Sequence, residues 1–104
     1  MTDADAEPKG TCYQDALERF LDEQANSVGG ARLVHGSVLG EGGVRVKHAW
    51  IEGRADVWDP QLSGVCSREA YYKRFQPEPR VTYTRYEARR AWFQAGHYGA
   101  WDED

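Results

Sequence analysis

The chain has 104 residues, enough for one domain and too few for a two-domain enzyme or a repeat array. Ile, Leu, Val and Phe account for 17 of the 104, below roughly one fifth, while Trp, Tyr and Phe number 13, so aromatic rings must build much of the core. The formal net charge of −4 conceals an uneven distribution: six of the 17 acids are Asp3, Asp5, Glu7, Asp102, Glu103 and Asp104, and between Lys9 and Trp101 basic residues outnumber acidic ones 13 to 11. No window reaches the roughly 18 apolar residues of a membrane span, and no basic-then-apolar signal peptide opens the chain, so a soluble cytoplasmic protein without a membrane partner is expected.

Residues 1–10 are acidic and almost free of bulky apolar groups and read as a disordered tail, with 102–104 as its acidic C-terminal counterpart around one domain at 11–101. Thr11 and Gln14 have capping-box spacing, and Cys12, Ala16, Leu17, Phe20 and Leu21 follow on one helical face, which predicts a helix from Cys12 to Gln24. Asn26 to Gly30 breaks it. Ala31 to Leu39 and Val44 to Ile51 then read as a hairpin across Gly40, Glu41, Gly42 and Gly43, and Glu52, Gly53 and Arg54 turn the chain into a third strand, Ala55 to Asp59, stopped by Pro60. An irregular stretch through Ser63 and Gly64 follows. Ser67 is placed to cap a short helix holding Tyr71, Tyr72 and Phe75 that Pro77 ends, and Pro79 to Tyr83 reads as an edge strand. Thr84 and Glu87 repeat the capping-box spacing ahead of Ala88, Ala91, Trp92 and Ala95, with Gly96 as the stop. Helices at both ends of an antiparallel sheet define an α+β domain.

Cys12 stands in the first turn of the first helix, where unpaired N–H groups and the positive end of the macrodipole stabilise a thiolate. Cys66 has no comparable setting and reads as structural; a Cys12–Cys66 disulfide is the alternative. A thiolate nucleophile needs an imidazole to move protons, and the imidazole needs a group to orient it. His48 and Asp59 meet these requirements. Alternation puts Val44, Val46, His48 and Trp50 on one strand face, expected to pack under the first helix, and the tight turn returns the strand ending in Asp59 beside His48. His35 reads as structural. The segment Gly96 to Trp101, which contains His97, either binds substrate or plugs the core with Trp101, and the shortage of aliphatics favours the plug. The Cys and His residues lack paired ligand spacing and no glycine run has phosphate-loop form, so neither metal nor cofactor is expected.

Four segments carry a resemblance: Thr11-Cys12-Tyr13-Gln14-Asp15-Ala16, Ala31-Arg32-Leu33-Val34-His35-Gly36, His48-Ala49-Trp50-Ile51-Glu52 and Val57-Trp58-Asp59-Pro60. Together they resemble the core of the transglutaminase-like superfamily, over about half the chain, and the compact layout is similar to small bacterial or phage-encoded members. The resemblance implies a papain-like core, with a nucleophile helix on an antiparallel sheet and C-terminal helices added. It also implies Cys12 as nucleophile, His48 as general base and acid, Asp59 as the orienting carboxylate, and cysteine acyl transfer on amide bonds of peptides or proteins, as a peptidase, deamidase or transglutaminase. Tyr13, Trp50 and His97 are the candidate substrate-binding residues. Two alternatives accompany this reading. One is an inactive protein-binding domain of the same fold. The other is a nucleic-acid module built on the basic, aromatic stretch Arg68 to Arg90, a composition that ordinary solvated helix faces share.

Overall fold

The computed structural model describes residues 11–22, 30–62 and 64–101. The two acidic tails lie outside the described residues. In chain order the elements are α1 (Cys12–Leu21), β1 (Arg32–Leu39), β2 (Arg45–Glu52), β3 (Asp56–Asp59), β4 (Gly64–Ser67), α2 (Arg68–Phe75), β5 (Glu78–Tyr83) and α3 (Arg85–Ala95). The strands form one antiparallel sheet in the order β4-β3-β2-β1-β5, and the architecture is α+β.

Strand neighbours point to opposite faces, and the two faces bury different residues. Leu33, Ala49 and Ile51 pack with Ala16, Leu17 and Phe20 of α1 and Ala88 of α3. Val34, Val38, Trp50 and Val57 pack with Tyr71 of α2. The expectation that Val44, Val46 and Trp50 pack under the first helix is therefore corrected, since Val46 and Trp50 join the α2 cluster and Val44 is exposed, whereas His48 meets α1 at Cys12. Both parities of β2 are apolar, and α1 takes the Ala49 and Ile51 side, where the small alanine lets a helix approach closely.

α1 buries Cys12, Ala16, Leu17 and Phe20, a stripe of the expected helical period, at about 1.5–3 kcal/mol for each large side chain. It ends at Leu21, where the Asp22 N–H turns back to the Arg19 carbonyl at 3.2 Å, short of the expected Gln24; the Asn26 to Gly30 breaker lies mostly outside the described residues. The Thr11 side chain does not cap it. Its hydroxyl donates instead to Asp15 Oδ2 at 3.2 Å, so the capping-box spacing with Gln14 goes unused.

β1 and β2 pair in register from Arg32↔Glu52 to Leu39↔Arg45, with Gly42 and Gly43 at positive φ (75° and 77°) in the connecting turn, as a tight reversal requires. β5 is the edge strand the sequence predicts and pairs with β1, with a register shift between His35 and Gly36. Gly36 is required there, because a Cβ would stand 2.3 Å from the Glu78 carbonyl oxygen. The stretch expected to be irregular contains a strand, β4, whose Cys66 pairs with Val57. Ser67 accepts from the Ala70 N–H at 3.1 Å and starts α2 as expected. Thr84 and Glu87 form a complete capping box at α3, with bonds of 3.1 and 2.9 Å. The apolar face expected on α3 is only partly used: Ala88 is buried, whereas Trp92 is exposed and stacks on Tyr98 at 6.1 Å.

Candidate active site

Three elements bring Cys12, His48 and Asp59 together. All three are buried, with Cys12 4%, His48 0% and Asp59 2% exposed. β3 pairs with β2 only at Ile51 and Glu52, so His48 lies past the paired segment, and Asp59 at the end of β3 reaches it from the side. His48 Nε2 donates to Asp59 Oδ2 at 2.8 Å. That leaves Nδ1 to Cys12. The thiol favours the imidazolium as a hydrogen-bond partner and by charge, while Nδ1 itself has no hydrogen-bond partner of standard geometry among the described residues.

Burial alone would strip the proton from His48. The Asp59 hydrogen bond, the Cys12 contact and the two charges outweigh it and push the imidazole up to about 9. Asp59 is likewise opposed by burial, yet its carboxyl is held below the ordinary value by His48, by the Tyr71 hydroxyl and by the Gln61 N–H. At neutral pH the pair is therefore an imidazolium on a carboxylate, the state that can face a thiolate.

Asp59 is fixed on both oxygens. Gln61 N–H donates to Oδ1 at 2.7 Å, closing an Asx turn over Pro60, and the Tyr71 hydroxyl donates to Oδ2, the oxygen that also receives His48. The Asp-Pro-Gln run signals the first contact. Tyr71 is the functional contact that the sequence reading missed. Nothing local marks it, since it comes from α2, twelve residues downstream, and reads only as a helix-face aromatic. The hydroxyl, buried next to Asp59, is pushed far above its ordinary value by burial and by the carboxylate charge, so it stays protonated as a donor.

The candidate substrate-binding residues are placed apart. Trp50 is fully buried, stacked on His48 at 6.2 Å and beside Tyr71 at 6.0 Å, with its indole N–H on Glu52 Oε1 at 2.9 Å. It is a floor under the imidazole and offers no surface to a ligand, so among the candidate substrate-binding residues Trp50 belongs to the core. Tyr13 is half-buried and meets His35 edge-on at 4.8 Å. His97 is exposed, accepts the Gly99 N–H at 3.2 Å and gives its carbonyl to Trp101 Nε1 at 2.8 Å; no described contact links it to the three site residues. Trp101 packs on His35 and Tyr83 at 5.1 and 5.0 Å, the plug geometry. Cys66 is a free thiol in β4 and Cys12 is free as well, so the disulfide alternative is not realised. Burial, then the charge of Asp59, pushes the Cys66 thiol up.

Among the described residues, no group of three His, Cys, Asp or Glu side chains is placed to hold a metal ion, and no described helix is long and apolar enough to cross a membrane. Several cations of the basic stretch are engaged internally: Arg68 with Glu52 at 2.7 Å, Arg85 with the Phe20 carbonyl at 3.0 Å, and Arg90 with the Tyr86 hydroxyl at 3.0 Å. No protein-family model, no curated protein and no solved structure matches the chain.

Proposed function

We propose that the protein is a cysteine-dependent acyl-transfer enzyme acting on amide bonds of peptides or proteins, with a transglutaminase-like, papain-like core. The observation that carries the reading is the buried Cys12–His48–Asp59 set, drawn from the start of a helix and two strands and anchored at 2.8 Å between His48 and Asp59. Asp59, fixed by Gln61 and Tyr71, orients the imidazolium and stabilises it, and the imidazolium stands beside Cys12 in the first turn of α1.

In the proposed reaction the Cys12 thiolate adds to the amide carbonyl carbon, and its oxygen takes the negative charge. First-turn N–H groups of α1, which have no helical acceptor, are the candidate donors to that oxygen. Collapse breaks the C–N bond, His48 gives its proton to the departing amine, and a thioester remains on Cys12. Water or an amine then attacks the thioester, passes its proton to His48 and regenerates the thiolate. With water the enzyme is a peptidase or deamidase; with an amine it is a transglutaminase.

The burial of Cys12 favours a second reading, an inactive binding domain of the same fold, since a substrate carbonyl reaches the sulfur only when surrounding side chains move. Iodoacetamide at pH 6, followed by mass spectrometry, separates the two, with Cys66 as internal reference. Cys12 alkylating at least about tenfold faster than Cys66, and slowing tenfold in His48→Ala, is the enzyme's signature. Equal rates, or indifference to His48, sink it. Ammonia release from glutamine peptides, with and without an amine, then distinguishes hydrolysis from transfer.

A further inference from the structure

A second polar feature lies away from the three site residues, at the end of the sheet where β1 begins and β2 ends. Arg32, Glu52, Arg54, Arg68 and Thr82 line a groove of about 390 Å³, which adjoins a second hollow of about 480 Å³ through Arg54 and Arg68. Its charges do not cancel. Arg32 and Glu52 are direct cross-strand partners, the position where an ion pair is expected. Glu52, however, is already occupied: Oε1 receives the Trp50 indole and the Tyr72 hydroxyl at 2.9 and 3.0 Å, and Oε2 receives Arg68 Nε and the same hydroxyl at 2.7 and 3.0 Å. Three donors, the indole N–H, the Tyr72 hydroxyl shared between both oxygens and the Arg68 guanidinium, thus converge on this carboxylate, and Arg68 matches its charge.

Arg68 is further held by stacking over Tyr72 at 4.8 Å. Three guanidiniums thus line a groove whose one carboxylate is paired with Arg68, and the groove carries a surplus of two positive charges, borne by the exposed Arg32 and Arg54. Neither has a hydrogen-bond or ion-pair partner among the described residues. Guanidinium forks match paired oxygens, and the Thr82 hydroxyl adds a neutral donor on the opposite rim.

We propose that this groove binds a small oxyanion carrying two negative charges, clamped by Arg32 and Arg54 against the Arg68–Glu52 pair. Phosphate and dicarboxylate groups share that chemistry. The groove lies four residues along β2 from His48, about 13 Å at strand rise, so the proposal does not rest on acyl transfer at Cys12.

The test is a titration of the full chain with inorganic phosphate or with succinate, followed by amide nuclear magnetic resonance at pH 7.5 and constant ionic strength. Saturable shifts at Arg32, Arg54 and Thr82 are expected, weakened at least tenfold by Arg32→Gln or Arg54→Gln. Arg54→Lys, which keeps the charge and loses the fork, weakens phosphate several-fold. The tighter of the two anions identifies the ligand class. Unchanged amide positions for Leu33 and Ile51 confirm that the variants fold. Shifts that fail to saturate, that spread equally to Lys73 and Arg89, or that persist in both glutamine variants overturn the proposal.

Discussion

Asp59 depends on one hydroxyl that the sequence does not announce. The Tyr71 donor shares Oδ2 with His48, so Tyr71→Phe removes a charge-assisted hydrogen bond while keeping the ring against Trp50 and Phe75, with an expected loss of about 2 kcal/mol at pH 6. The pH dependence carries the sharper signature. His48 rises from 6.5 to about 9 on folding, so its pairing contributes fully below pH 6.5, by about 3 kcal/mol, and is lost as pH climbs through 9. Asp59 is lowered, so the same pairing, counted once, is complete above its ordinary 3.8 and is lost as pH falls through the depressed value. Stability should therefore be flat from about pH 4 to 6.5 and fall on both sides. Urea midpoints across pH 2–10 test this, and in Tyr71→Phe the acid limb should move to higher pH, because one of the groups holding the carboxyl down is gone. An acid limb that stays in place in that variant would mean that Tyr71 does not hold Asp59.

Two identical capping signals had opposite fates, and the difference is instructive about elements. Thr84-x-x-Glu87 forms both bonds of the box, whereas Thr11-x-x-Gln14 forms neither, its hydroxyl going to Asp15. Thr84→Ala should cost about 1 kcal/mol, and Thr11→Ala less than half of that, by thermal unfolding. Equal costs would show that the Thr11 spacing acts as a cap after all. The same contrast marks how far sequence reaches. The hairpin, the edge strand, the Ser67 cap and the joining of His48 to Asp59 were legible, because each follows from a local period or turn. β4 was not, since Gly64–Ser67 is short and carries neither a run of β-branched residues nor a buried stripe; it forms because β3 offers an open edge. Nor was the face that Trp50 takes. With Val46 and Trp50 on one side of β2 and Ala49 and Ile51 on the other, period alone does not say which side α1 takes.

At the scale of the molecule, the shortage of aliphatics is met by two separate aromatic assemblies, one on each face of the sheet. Trp50, Tyr71 and Phe75 support the candidate site from the α2 face, so composition and site geometry are one feature there. On the α1 face, fully buried His35 sits within Tyr13, Tyr83 and Trp101, and the C-terminal segment lies so close that a Cβ on Gly99 would stand 2.7 Å from His35 Cε1. Trp101 closes a core that α1 and α3 leave open, and its indole N–H is spent on the His97 carbonyl within the same segment. His97 contributes that carbonyl and an exposed ring whose Nδ1 takes the Gly99 N–H, a bond that water replaces at an exposed position. Trp101→Ala should therefore lower stability by about 2 kcal/mol, less than a fully buried tryptophan because the ring is half-exposed, while His97→Ala should change it by under about 0.5 kcal/mol. Chemical denaturation measures both, and alkylation of Cys12 in the same variants decides the role of the segment. If His97→Ala leaves stability intact but slows Cys12 alkylation or amide turnover, the segment serves the site and the plug account fails; if only Trp101→Ala has an effect, and on stability alone, its function is to close the core.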